Sequence, residues 1–98
     1  MEQEHKDIVY KHLLNANDRE YTIKKTIEEL LELVLILQQK LNKPDLVSDE
    51  KIIEEIGDVN IRLKVLKQIY PIELIKKRIG FKLKKFYKYI ITDKYKNI

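Results

Sequence analysis

The sequence predicts an all-α fold, a bundle of about four main helices forming one domain over residues 1–98. Three observations carry this expectation. Apolar residues recur at spacings of three and four along most of the chain, the period of a helix with one face in a core. Only two Gly and two Pro occur, and Pro44 and Pro71 each fall where one periodic stretch gives way to the next. The balance of 44% hydrophobic against 37% charged residues suits a helical globule and argues against disorder or a β-sandwich. A chain this short buries only about 60–70% of its unfolded surface, so a second domain is excluded.

Residues 4–15 read as a first helix with Ile8, Val9, His12 and Leu13 available to one side, ending over Asn15-Ala16-Asn17-Asp18. His5 and His12 are seven apart and share a face, a spacing that suits ordinary surface or core histidines better than a metal pair. The second helix begins near Asp18 or Arg19, with Asp18 as N-cap, and runs to about Leu41. Its centre is apolar almost all round, which predicts the most buried helix, packed on more than one side. Asn42-Lys43-Pro44-Asp45 breaks it, because Pro44 disfavours helical geometry at Lys43 and lacks a backbone donor.

Ser48 is the expected N-cap of a third helix, with Asp49 and Glu50 at the positive end of its dipole. Ile52, Ile53, Ile56, Val59, Asn60, Leu63 and Leu66 repeat at helical spacing and make its core-facing stripe. Gly57 within that stripe costs about 1 kcal/mol relative to Ala, which predicts close approach of another backbone or of a metal site. Tyr70-Pro71 ends this helix, and Pro71 suits the first turn of a fourth, basic helix over residues 72–91, in which Gly80 is a place for a bend. The short connection makes the second and third helices an antiparallel pair.

Charge is strongly polarised. Residues 1–58 carry 14 acidic and 8 basic side chains, and residues 59–98 carry 2 acidic and 12 basic. An acidic half able to hold a metal and a basic half able to hold phosphate suit a complex of nucleotide and metal, although a basic tail also suits nucleic acid. There is no cysteine, which removes disulfides and thiolate chemistry and is compatible with a reducing cytoplasm, the expected location. The polar N-terminus and the shortness of the longest apolar run, Leu33 to Leu37, predict neither a signal peptide nor a membrane span.

Two acidic clusters stand out, Glu28-Glu29-Leu30-Leu31-Glu32 and Glu54-Glu55-Ile56-Gly57-Asp58. Residues three apart share a helix face, so Glu29 lies beside Glu32 and Glu55 beside Asp58. The antiparallel pairing makes all four converge. Glu32 sits in an otherwise apolar run, and burying an unpartnered ionised carboxylate costs several kcal/mol, so it calls for a cation, a basic side chain or a proton. Carboxylates at contact distance raise one another's pKa, and a divalent cation relieves the repulsion. Mg²⁺, a hard ion preferring oxygen ligands, suits such a set, with Mn²⁺ as a substitute. Glu28, Glu50 and Glu54 are as readily read as solvated helix carboxylates.

The pattern Glu29-x-x-Glu32, followed after 22 residues by Glu55-x-x-Asp58, resembles the E-x-x-E…E-x-x-D signature of the MazG-like, all-α nucleoside triphosphate pyrophosphohydrolases. The likeness rests on the combination: a doubled Glu heading each half, apolar flanks, the Gly57-Asp58 ending and a connection of fitting length. It covers roughly residues 20–90. It implies a Mg²⁺-dependent hydrolase that cleaves a nucleoside triphosphate between the α- and β-phosphates. Glu29, Glu32, Glu55 and Asp58 become metal ligands, and Glu28 or Glu54 takes the proton of the attacking water. The segment Phe81-Lys82-Leu83-Lys84-Lys85-Phe86-Tyr87 resembles the basic stretch that meets substrate phosphates in that family, with Lys82 and Lys85 as the candidates. Two departures are visible: Lys85 stands where the family has Arg, and Thr22-Ile23-Lys24 stands where relatives often have Gln.

Two other function classes fit parts of the chain. A small nucleic-acid-binding protein would use the basic segment with its interleaved Tyr and Phe, which accounts for residues 76–96 and leaves Glu32 and Asp58 unexplained. A non-catalytic helical interaction module would need none of the four acids. No glycine loop of the phosphate-cradling kind occurs, so phosphate binding would rest on side chains. The apolar surface of the second, third and fourth helices exceeds what one thin bundle can cover, which predicts a homodimer or homotetramer, as the resemblance also implies.

Overall fold

The computed structural model describes residues 1–15, 18–94, 96 and 98, with Asn15 described by its backbone alone. It contains α1 (Gln3–Asn15), α2 (Arg19–Asn42), a single 3₁₀ turn (Pro44–Leu46), α3 (Asp49–Lys67) and α4 (Ile72–Ile91). The expected all-α class and four main helices are found, with no strand among the described residues. Ala16 and Asn17, where the first helix was expected to end, lie outside the described residues.

Local chemistry sets the boundaries. Asp18 caps α2, its Oδ1 accepting from the Tyr21 N–H at 2.7 Å. Ser48 caps α3 in the same way, its Oγ accepting from the Lys51 N–H at 3.2 Å. Between them the chain turns at Pro44, and Lys40 ties the turn to α2: its Nζ donates to the carbonyls of Pro44 at 3.2 Å and Val47 at 2.8 Å. The same ammonium lies 3.6 Å from Asp49 Oδ1 at the head of α3. Pro71 stands at the N-cap of α4, one residue before the first turn expected for it, and α4 runs through Gly80 without interruption.

The α2–α3 hairpin is the body of the fold. Its helices are antiparallel, since Lys40 reaches Asp49 at one end while Glu29 and Glu32 meet Glu55 further along. The buried side chains between and around them are Thr22, Thr26, Val47, Glu55, Val59 and Val65. Thr26 Oγ1 donates to the Thr22 carbonyl at 2.8 Å, which satisfies a buried hydroxyl within its own helix. α1 packs on α3, where Lys64 Nζ lies 4.4 Å from the Tyr10 ring centre and Gln68 Nε2 donates to the Tyr10 carbonyl.

Two expectations change. α2 is not the most buried helix: its buried residues are Thr22 and Thr26, while Leu31, Val34 and Leu35 are 57–61% exposed. The periodic pattern made one side of α2 face α3, and among the described residues Leu31, Val34 and Leu35 on its other side stay exposed. Gly57 meets no close neighbour either, for a methyl group added there would find nothing within 4 Å. α4 makes no more than marginal contact with any other helix, and the Cα radius of gyration is 17.0 Å, against about 13 Å for a compact domain of this length.

Candidate metal centre

The centre lies midway along the hairpin. Glu29 and Glu32, one turn apart on α2, and Glu55 on α3 each offer a carboxylate oxygen, and these oxygens all lie within 4.8 Å of one another. Glu55 is 5% exposed, Glu29 is half-buried and Glu32 is exposed. The expectation that Glu32 is the buried carboxylate is therefore corrected. Its apolar neighbours Leu31 and Val34 point to an uncovered side of α2, whereas Glu55 sits on the face of α3 that meets α2, among Ile52, Val59 and Leu63.

The electrostatics follow from this geometry. Burial pushes the Glu29 carboxyl above its ordinary range, and the like charge of Glu32 beside it pushes it further, with smaller contributions from Asp58 and Glu55. Lys51 Nζ lies 3.1 Å from Glu55 Oε1 and 3.7 Å from Glu54 Oε2. The hydrogen bond to Glu55 holds the Lys51 ammonium above its ordinary pKa, helped by Glu54 and Glu32. The residue chemistry of α3 thus supplies its own counter-charge. Sequence reasoning passed over Lys51, although its place four residues before Glu55 on the same helix was the signal for it.

Two carboxylate oxygens remain without a partner. Glu29 Oε2 and Glu55 Oε2 are shut off from solvent and accept no hydrogen bond. A buried acceptor left in that state costs roughly 1–3 kcal/mol, so these oxygens fit a cation drawn in between α2 and α3. An all-oxygen set suits hard divalent ions better than soft ones. Glu29, Glu32 and Glu55 can accordingly hold a metal ion.

The remaining sequence candidates are placed as follows. Asp58 is exposed and outside this group of three, though near enough to act on Glu29 through its charge. Glu28 is exposed and paired with Lys25 at 3.1 Å, and Glu54 is exposed beside Lys51. Lys82 and Lys85 are on α4, their ammonium groups 5.3 Å from the Phe86 ring centre and 5.7 Å from that of Tyr89. With α4 standing apart from the hairpin, the packing of a single chain does not bring these lysines to the carboxylates. His5 and His12 are exposed, and the described residues place neither in a metal-binding group.

No protein-family model, no curated protein and no solved structure matches the chain. No helix among the described residues is long and apolar enough to cross a membrane.

Proposed function

We propose that the protein is a Mg²⁺-dependent hydrolase of nucleoside triphosphates that cleaves between the α- and β-phosphates, giving a nucleoside monophosphate and pyrophosphate, in the cytoplasm. The observation that carries this reading is the convergence of Glu29, Glu32 and Glu55 from two helices, with two buried carboxylate oxygens lacking a partner. The E-x-x-E…E-x-x-D spacing adds the reaction class by resemblance.

Glu29, Glu32 and Glu55 would hold the ion, with Asp58 adding negative charge at the edge. When bound, Mg²⁺ supplies polarisation of the substrate phosphates and lowers the pKa of a water. Lys51 keeps one oxygen of Glu55 engaged, so that the other is turned to the centre. Glu28 and Glu54 border the cluster and are the candidates to accept the proton of the attacking water. Lys82 and Lys85 are the candidates to offset charge on the departing pyrophosphate, which requires α4 of the same or a second chain to reach the carboxylates.

The test is a panel of common and modified nucleoside triphosphates with Mg²⁺ or Mn²⁺, assayed for monophosphate and pyrophosphate. Stoichiometric release of both by the wild type, abolished in Glu55→Gln, is the expected result. A folded protein that binds neither ion and turns over no member of the panel overturns the proposal.

A further inference from the structure

α4 differs from the other helices in three respects. It is the most amphipathic of the four. It carries seven Lys and Arg side chains against one carboxylate, Glu73. It also stands clear of the hairpin, with only marginal contact to any other helix, so packing among the described residues leaves its apolar side largely uncovered.

That side is well defined. With 3.6 residues per turn, Ile72, Ile75, Ile79, Leu83, Phe86 and Ile90 fall in one stripe about 80° wide along the whole helix. Ile72, Ile79, Leu83 and Ile90 are 45–60% exposed. The same spacing puts Lys76 and Tyr87 on one margin of the stripe, and Lys82 and Tyr89 on the other. Lys82 already lies along its margin, the ammonium 5.3 Å from the Phe86 ring centre. Of the apolar residues outside the stripe, Leu74 borders a cleft beside Tyr70 and Pro71. Phe81 lies under the Arg78 guanidinium, which is 5.3 Å from its ring centre.

A surface that satisfies this helix must be apolar under the stripe and negatively charged at both margins, over the roughly 30 Å of a helix this long. Nucleic-acid phosphates would satisfy the lysines and leave the stripe in water. A bilayer containing acidic lipids supplies both: acyl chains for the stripe, charged headgroups for the ammonium groups, and between them the boundary at which phenol rings settle. We propose that α4 adsorbs in the plane of an anionic lipid surface, its stripe turned toward the acyl chains and Lys76, Lys82, Tyr87 and Tyr89 at headgroup level. It lies on the membrane rather than across it, since no helix among the described residues is long and apolar enough to span one. The charge split of the sequence orients the approach, because the surface attracts the basic C-terminal part and repels the acidic N-terminal part.

Flotation with lipid vesicles tests this. The protein should float with phosphatidylcholine vesicles containing phosphatidylserine and stay behind with phosphatidylcholine alone. Leu83→Gln, at the middle of the stripe, should lower the partition by about tenfold or more. A second measurement locates the contact and does not depend on that variant. The chain has no Trp, so Tyr87→Trp and Leu35→Trp each introduce a single indole that reports its own surroundings. Brominated acyl chains should quench the Tyr87→Trp protein and spare the Leu35→Trp protein, whose probe sits on an exposed part of α2. Absence of flotation with the acidic vesicles, including that of a chain which hides the stripe against a second copy, overturns the proposal. So does flotation that Leu83→Gln leaves unchanged, the mark of charge attraction alone and of a tail suited to nucleic acid. Quenching confined to the Leu35→Trp protein overturns it as well.

Discussion

Lys51 Nζ lies 3.1 Å from Glu55 Oε1, while Glu55 Oε2 is buried without a hydrogen-bond partner. One carboxylate is therefore half neutralised by its own helix and half left for something else. Lys51→Met should lower the melting midpoint of the metal-free protein, since a nearly buried carboxylate loses the cation paired with it. It should also tighten Mn²⁺ binding, because a competing positive charge is gone. Thermal unfolding with and without Mn²⁺ checks both effects, and an unchanged metal-free midpoint would contradict the role given to Lys51.

The carboxylates should not be equivalent. Glu55→Gln, Glu29→Gln and Glu32→Gln are each expected to weaken Mn²⁺ binding by more than about tenfold, the scale on which even outer partners of a metal act. Asp58→Asn, outside the group of three oxygens, should have the smaller effect. Calorimetric titration of the four variants orders them, and Asp58→Asn ranking first would move the centre toward the α3 edge.

Acidity should act on the metal-free protein in a defined direction. The Glu29 carboxyl is raised above its ordinary 4.5, first by burial and then by Glu32. The folded state holds that proton more tightly than the unfolded one, so the contribution of Glu29 to stability is complete below 4.5 and is lost as pH rises through the raised value. Lys51 is raised above 10.5 by Glu55. Its contribution is complete below 10.5 and is lost as pH rises through the raised value. Urea midpoints across pH should show both declines, with Glu29→Gln flattening the acidic one.

The helix starts give a control independent of the metal. Asp18→Ala and Ser48→Ala each remove a side-chain acceptor from the first turn of a helix and should cost about 1 kcal/mol. Val65→Ala, at a site only 1% exposed, should cost about 2 kcal/mol through lost burial and the cavity left behind. Chemical denaturation measures all three, and none should alter Mn²⁺ affinity.

How far the sequence foretold this arrangement depends on which kind of signal each residue carried. Asp18 and Ser48 act through hydrogen bonds to their immediate neighbours, and Pro44 and Pro71 through the ring and the missing N–H, so the helix limits could be read from them directly. The meeting of Glu29, Glu32 and Glu55 was legible as well, because helical spacing and a short connection leave few ways to pair α2 with α3. Burial was not legible. Glu32 lies amid leucines in sequence and is exposed, and Glu55 is the carboxylate that is shut in. A run apolar on all sides says that two sides want covering, and it does not say which side the same chain covers. The position of α4 escaped for the same reason, since its stripe is equally consistent with folding back and with standing clear.

Lys40 has a bearing on the carboxylates that distance conceals. It fastens the turn at Pro44 and Val47 and reaches the head of α3, and Glu29 lies eleven residues away, about 16 Å along the helix axis. Sliding one helix past the other by a single turn would displace the oxygens by about 5.4 Å, more than the 4.8 Å within which they now gather. The turn is thus the zero mark from which the spacing of the acids is measured. A residue inserted there would leave two good helices in place and pull their carboxylates out of alignment.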